Sequence, residues 1–408
     1  MFVIIKLREK MLVRERYLSQ IREYYHSDLV KVLTGIRCGG KSVLLAQIME
    51  ELLTQGVSAD QIISLSFEHL VYEEATDYQR LYEYLSQQLG AKKFCYLFLD
   101  EIQYIANYEK VIELLLSTKP VSIFITASNS RLLFEELSTS LAGRYVSFTI
   151  YPLSFQEVLQ LQGKNGGNEV DFLDYLKWGG LPNRFAFENE QAIKNYLFGV
   201  YDSILLRDVI RWAKIRDLQL FNTILQYILD TVGQEFSASS IIEFLKQGDR
   251  EISNLTIYSY LDALCKAFII TKAPRYDVRS GTVLKNLGKY YATDLGIAGI
   301  KKRNREVDIP TALQNVVYNE LLVRGYEVYT GKTNKGSLDF IALKNDLRFY
   351  IQVDHLLGDQ TQENIEHGSF PANADHLSCY VISMDETDYS TAVFTHLNII
   401  DFLLGDNF

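Results

Sequence analysis

Residues 35–42 read GIRCGGKS, which sets two glycines, a lysine and a serine at the spacing G-x-x-x-x-G-K-S. Gly35 and Gly40, with Ile36, Arg37, Cys38 and Gly39 between them, can curl so that backbone N–H groups surround a polyphosphate. Lys41 would meet the β and γ oxygens, and Ser42 would offer its hydroxyl to magnesium. Val43 continues into a helix whose N-terminal partial charge favours an anion. A second chemical pair, Asp100 and Glu101, closes the apolar run of residues 94–99. Asp100 can hold the magnesium water, and Glu101 can polarise an attacking water.

These groups need a sheet to carry them. Val30, Val32 and Leu33 precede the loop as a short apolar strand, and Val43, Leu44, Leu45, Ile48, Met49, Leu52 and Leu53 follow it at helical spacing. Residues 11–29 read as a lead-in helix, 62–67 as a strand and 78–89 as a helix. A buried strand ending at Asp100 and Glu101 puts both acids at the C-terminal edge of a parallel sheet, where such sheets bind ligands. The strand at 121–127 ends in Ser128, Asn129 and Ser130, which suit a helix N-cap, a phosphate contact, or both. Another strand follows Gly143 and Arg144; that arginine either pairs locally or projects toward a phosphate.

Downstream, residues 162–169 are a polar loop, and a helical pattern over 170–215 is broken at WGGLPNR by Gly179, Gly180 and Pro182. Two short helical stretches, 237–247 and 254–268, precede a hairpin around Ser280 and Gly281, the pattern of a winged helix. Lys272, Arg275, Arg279, Lys285 and Lys289 give that hairpin cations for nucleic-acid phosphates. The last part carries Tyr318, Asn319 and Glu320 on a helix, Asp339 in a strand, and Gln352 and Asp354 around the next strand.

Composition narrows the class. A chain of 408 residues with 48% hydrophobic and 23% charged residues is globular and multidomain. Its net charge of −10 opposes general coating of nucleic acid. Cys38, Cys95, Cys265 and Cys379 have no paired or metal-like spacing and read as reduced thiols. No apolar run approaches the roughly 18 residues of a membrane span, and the opening MFVIIKLREKMLVRER reverses the order of a secretory signal. The expectation is a cytoplasmic protein without a membrane partner.

The inserted strand before Asp100, the acid after it and the polar tip at 128–129 resemble the additional-strand, catalytic-glutamate P-loop ATPases, which include the AAA type. In those enzymes the polar tip is sensor 1, so the resemblance implies that Ser128 or Asn129 orients water or reads the γ-phosphate. Gly180-Leu181-Pro182 is similar to the G-x-P element that lies against adenine in lid domains of signal-transduction P-loop ATPases. The helix acid, Asp339 and Gln352 resemble a restriction-endonuclease-like core in which Asp354 stands at the lysine position. Together KVLTGIRCGGKSVLL, FLDEIQ, ITASNSRLL, GRYVSFTIYPLSFQE, WGGLP, KYYATDLG, DFIA and YIQV resemble the large prokaryotic family of AAA-type ATP-binding proteins with a degenerate nuclease-like C-terminal part. Members usually carry an arginine and a small residue where this chain has Cys38-Gly39.

The resemblance implies ATP and Mg2+ as ligands and an α/β fold: a P-loop NTPase parallel sheet with a helical lid, a winged-helix domain and a C-terminal α/β nuclease-like domain. The expected boundaries are 1–155 for the ATPase domain, 156–216 for the lid, 217–300 for the winged helix and 301–408 for the nuclease-like domain. Ser42 and Asp100 are expected at the metal. Glu101, Asn129 and Arg144 are expected in catalysis, and residues 35–43 with Pro182 at the nucleotide. The leading expectation is a slow ATPase switch acting on an unidentified protein partner, with weak DNA contact and oligomerisation left open; the rival is an ATP-driven DNA-handling or nuclease effector.

Overall fold

The structure, a computed structural model, describes residues 12–68, 77–90, 92, 94–130, 141, 143–210, 213, 215, 217–246, 252–278, 280–301, 307–332, 337–358, 370–371 and 378–405. The chain divides into two compact units, Met1–Tyr151 with Lys266–Phe268, and Pro152–Cys265 with Ile269–Phe408.

In the first unit, β1 (Val30–Thr34), β2 (Ile62–Ser66), β3 (Cys95–Asp100), β4 (Val121–Ala127) and β5 (Tyr145–Thr149) form a sheet in the order β2-β3-β4-β1-β5. Every neighbouring pair is parallel. Parallel strands need crossovers, and the described ones are helical: α1 (Glu15–Ile21) leads in, and α2 (Lys41–Thr54), α3 (Tyr78–Leu89) and α4 (Tyr108–Thr118) cover the sheet. The two-residue strand period sorts the core. Val30, Val32, Leu97, Leu99, Ile123 and Ile125 face α3 and α4, whereas Leu33, Tyr96, Phe98 and Phe124 face α1 and α2. Phe98 and Phe124 stack at 4.6 Å between ring centroids.

β4 lies between β1 and β3, so the residues that follow β1, β3 and β4 converge at one edge. A lysine is sealed inside this layer. Lys31 of β1 is fully buried, with Nζ 2.6 Å from Ser122 Oγ, 3.2 Å from the Ser27 carbonyl and 4.5 Å from the centre of the Phe124 ring. Burial pushes its pKa down to about 7, against a smaller upward pull from Asp28.

The second unit begins with α5 (Phe155–Leu161), α6 (Glu169–Trp178) and α7 (Glu190–Ser203), the last running into a π-helical segment at Ile204–Ile210. α8 (Leu218–Asp230), α9 (Ala238–Lys246) and α10 (Asn254–Lys266) precede the hairpin of β6 (Ile270–Asp277) and β7 (Thr282–Ala292). α11 (Leu295–Lys301), α12 (Ile309–Val323), β8 (Glu327–Lys332), β9 (Ser337–Lys344), β10 (Leu347–Val353), β11 (Cys379–Ser383), β12 (Thr395–Asn398) and α13 (Ile399–Leu404) complete it.

The hairpin turn closes through Gly281 N donating to the Asp277 carbonyl at 2.9 Å. Its strands are not a free-standing wing, because β6 pairs in parallel with β8 and the sheet order is β12-β11-β10-β9-β8-β6-β7. Tyr276 of β6 shares a core cluster with Leu338, Ile341, Tyr350 and Val381. The boundary expected at 300 therefore runs through one compact unit and one continuous sheet.

A separate junction joins two sequence motifs. The buried Asp294 carboxylate accepts from Gly180 N at 2.8 Å and Ile297 N at 3.0 Å. A Cβ at Gly180 would stand 2.0 Å from the Leu153 carbonyl oxygen, so only glycine fits.

Candidate functional site

The phosphate-loop geometry begins with a contact unrelated to phosphate. A Cβ at Gly35 would lie 2.0 Å from the Ile150 oxygen, and Ile150 N donates to the Thr34 carbonyl at 2.7 Å. Gly35 is thus required where the chain leaving β5 crosses the end of β1. Arg14 braces the same region from the lead-in segment, its NH1 donating to Tyr151 O at 2.9 Å and Gly39 O at 3.3 Å. Cys38 is exposed at φ +61°, Gly40 caps α2 at φ +103°, and Lys41 opens the helix.

Lys41 is folded inward, only 3% exposed. Its Nζ donates to Gly35 O and Ile36 O, both at 3.1 Å, and stands 3.4 Å from Glu101 Oε1. Ser42 Oγ lies 3.0 and 2.8 Å from the two Asp100 carboxylate oxygens, so the loop and the end of β3 meet directly. Thr126 of β4 links both acids, donating to Asp100 Oδ1 at 2.6 Å and accepting from Glu101 N at 2.8 Å. Ser66 at the end of β2 reaches Asp100 Oδ2 at 3.4 Å. Burial pushes the Asp100 pKa up, against hydrogen bonds from Thr126 and Ser42.

Glu101 occupies a left-handed backbone conformation at φ +56°, rare for a residue with a side chain. The turn at Ile102–Tyr104 follows, and Gln103 Nε2 donates back to Glu101 Oε2 and to Ser128 Oγ, the latter at 3.0 Å. Arg37 is buried beside it, with Glu68 at 2.7 Å, Tyr104 Oη at 2.8 Å, Ser128 Oγ at 3.4 Å and Glu101 Oε2 at 4.0 Å. Burial alone would raise the Glu101 pKa. The Lys41 and Arg37 charges, with hydrogen bonds from Gln103 and Ser128, outweigh burial and hold it below the usual carboxylate value.

Gly35, Ile36, Arg37, Cys38, Gly39, Gly40, Lys41, Ser42 and Val43 therefore form one loop and helix start, with Asp100 and Glu101 against it. Asn129 is buried immediately beyond β4, next to Ser128. The helix anticipated after Ser130 lies outside the described residues. Arg144 is the exception. It is exposed and precedes β5, whose first residue pairs with Val30 at the start of β1. The phosphate loop leaves the other end of β1, on the order of 13 Å away along the strand at about 3.3 Å per residue. The projection toward a phosphate expected of Arg144 is thus not met within its own chain. Pro182 opens the short helix Pro182–Ala186 in the second unit.

The donor set at Ser42 and Asp100 fits magnesium. It consists of hard oxygens already in contact, and such an ion takes one or two protein ligands and completes its shell with phosphate and water. Among the described residues no group of three or more His, Cys, Asp or Glu is placed to hold a metal by itself. Thr126, Gln103, Arg37 with Glu68, and Arg14 were not singled out as partners from the sequence. The side chain of Thr126, inside an apolar strand, gave no local signal.

In the second unit, the buried Asp339 accepts from Val353 N at 3.0 Å and faces Lys289 Nζ at 3.3 Å. Burial, aided by the Asp339 charge, raises Asp354 to about 6. Glu320 pairs with Arg324 at 2.8 Å. Of the hairpin cations, Arg275 pairs with Glu235 at 2.9 Å and Lys289 with Asp339, so neither is a free phosphate contact. Arg279 and the Lys285 side chain lie outside the described residues.

Comparison with known proteins places this geometry. A family model described as an AAA domain matches residues 27–159, and one described as a domain of unknown function (DUF8612) matches 169–306, across the segments read as lid and hairpin. An uncharacterized protein of Haemophilus influenzae is 35% identical over 361 residues, covering 88% of this chain and 90% of that protein. The uncharacterized protein MJ1544 of Methanocaldococcus jannaschii is 29% identical, covering 83% and 74%. The solved structure of a Walker-type ATPase of Pyrococcus abyssi matches with a TM-score of 0.52 at 15% identity, covering 72% of this chain and 97% of that one, a likeness of fold. No helix among the described residues is long and apolar enough to cross a membrane.

Proposed function

Since the chain belongs to the same family as the uncharacterized Haemophilus influenzae protein and its residues 27–159 match the AAA domain, we propose that it binds ATP with Mg2+ and hydrolyses it slowly, as a nucleotide-dependent switch. The observation that carries this reading is the meeting of Lys41, Ser42, Asp100 and Glu101 at one sheet edge. Backbone N–H groups of residues 35–43 would receive the phosphates at the start of α2. Lys41 would turn from the Gly35 and Ile36 carbonyls and Glu101 to the β and γ oxygens. Ser42 and Asp100 would hold magnesium, which offsets charge on the phosphates.

Glu101 orients the attacking water and takes its proton as the water oxygen bonds the γ-phosphorus and the bond to the β–γ bridging oxygen breaks. Asn129 is the candidate sensor beside the γ-phosphate. Arg37 stays beside Glu101 when Lys41 leaves, and a carboxylate held by a cation is a weak base, which favours slow turnover. Gly180-Leu181-Pro182, pinned by Asp294, is the segment assigned to adenine. Arg144 can serve a phosphate only in another copy, so its finger role is kept for an oligomer.

The second unit is read as a winged-helix-like and degenerate nuclease-like docking or regulatory module for a protein partner. The Lys289–Asp339 pair favours keeping the DNA-handling rival under test, because it places a cation beside the acid. The deciding experiment measures ATP binding and turnover with Mg2+, with and without DNA. Slow turnover indifferent to DNA supports the switch, strong stimulation favours the rival, and absence of ATP binding refutes both.

A further inference from the structure

We propose that Gln103 is a positioning residue that holds Glu101 in register for turnover, anchored in turn by Ser128. The inference rests on the ATPase reading above and deepens it. The two Glu101 oxygens have different partners: Oε1 faces Lys41 at 3.4 Å, and Oε2 receives the Gln103 amide. When Lys41 moves to a triphosphate, Oε1 is released to a water while Oε2 stays tethered. The tether is set by the backbone. Glu101 at φ +56° followed by the turn at Ile102–Tyr104 brings the side chain two residues on back over the carboxylate.

Gln103 is itself nearly fully buried and its Nε2 also donates to Ser128 Oγ at 3.0 Å, at the end of β4. Its orientation is therefore fixed by a strand and not by solvent. The carbonyl oxygen of the same amide is buried with no partner among the described residues. A buried acceptor left unpaired is costly, which suits a group whose donor arrives with the reactants. A water drawn to Glu101 would supply it.

The test compares wild type, Gln103→Ala and the isosteric Gln103→Glu, with steady-state ATPase kinetics, ATP affinity by titration calorimetry and thermal melting to confirm folding. Gln103→Ala is expected to lower kcat about 10- to 100-fold while KM and Kd for ATP stay within about threefold. Gln103→Glu, which replaces the donated amide by a second carboxylate beside Glu101, should lower kcat at least as far with the same small change in KM and Kd, and it decides the matter if the alanine variant does not fold. A kcat within twofold of wild type, or an equal loss in ATP affinity, would overturn the inference. Wild-type protein that binds ATP without any turnover would instead remove the hydrolytic reading on which it stands.

Discussion

Replacing Glu101 by glutamine should separate binding from turnover, and in an unusual direction. Lys41 must leave Glu101 Oε1 to meet a phosphate, and the two are 3.4 Å apart at a site where both side chains are nearly sealed from solvent. At an effective dielectric of about 20 that separation corresponds to about 5 kcal/mol of attraction as an upper bound, before desolvation is counted. If a fifth of this opposes nucleotide binding, removing the charge tightens ATP binding by about 1 kcal/mol, or about fivefold in Kd. Glutamine also removes repulsion between Glu101 and the γ-phosphate. Turnover should nevertheless fall by about 10²–10⁴-fold, because the group that takes the water proton is gone. Titration calorimetry with Mg2+ and ATP, beside a phosphate-release assay, reads both effects. Binding more than threefold weaker than wild type would refute the reasoning, since it would mean that the Lys41–Glu101 pair organises the loop instead of restraining it.

Lys41→Ala removes the loop cation proposed to turn to the β and γ oxygens and should weaken ATP binding by about 100-fold or more in the same titration, so unchanged affinity would sink the phosphate-loop assignment. Lys31 has a folded pKa of about 7 against the ordinary 10.5, so its contribution to stability is present above 10.5 and lost as pH falls toward 7. Urea unfolding of wild type should gain about 2 kcal/mol between pH 8 and 10 relative to Lys31→Met, and parallel pH profiles would contradict the burial argument. The hairpin should bind DNA only weakly and with steep salt sensitivity, because two of its cations are already paired with Glu235 and Asp339. Anisotropy titrations showing tight, sequence-selective binding at about 0.15 M salt would reverse that expectation. Finally, the protein should leave single- and double-stranded DNA and RNA uncut in magnesium or manganese, since Gln352 is neutral and Asp354 is negative where a nuclease of this kind needs a lysine. Cleavage that disappears in Asp339→Ala would restore the nuclease reading.

The parts of the first unit that were legible are those encoded locally. GIRCGGKS is one contiguous segment, and the apolar strands before it and before Asp100 sort themselves onto two faces by their two-residue period. Arg144 stands apart from the phosphate loop of its own chain for a reason that topology supplies. In a parallel sheet every strand begins at the same edge, so a residue just before β5 starts at the edge away from the loops that follow β1, β3 and β4. Thr126 and Glu68 were illegible because their partners lie on other elements, and Gln103 because its return to Glu101 depends on a left-handed backbone at Glu101 that the residue types do not announce. A threonine in VSIFITA looks like strand filler until β4 is seen beside β3, where its hydroxyl joins Asp100 to the backbone of Glu101.

The second unit shows the limit more sharply. A run of helices and a hairpin read as a separate winged helix because turn and strand signals are local, whereas the partner of β6 is β8, beyond two more helices. That pairing changes the chemistry of the hairpin. Lys289, counted from the sequence as a phosphate contact, is turned toward Asp339, fifty positions along the chain. The same step gives the acid a cation that its own strand neighbours lack, since the position expected to hold lysine is Asp354. The pair has two opposed consequences. It withdraws a charge from any nucleic-acid surface, and it neutralises a buried carboxylate that would otherwise be costly to keep ionised. An ion pair that closes on itself in this way would first have to open to serve a metal or a phosphate.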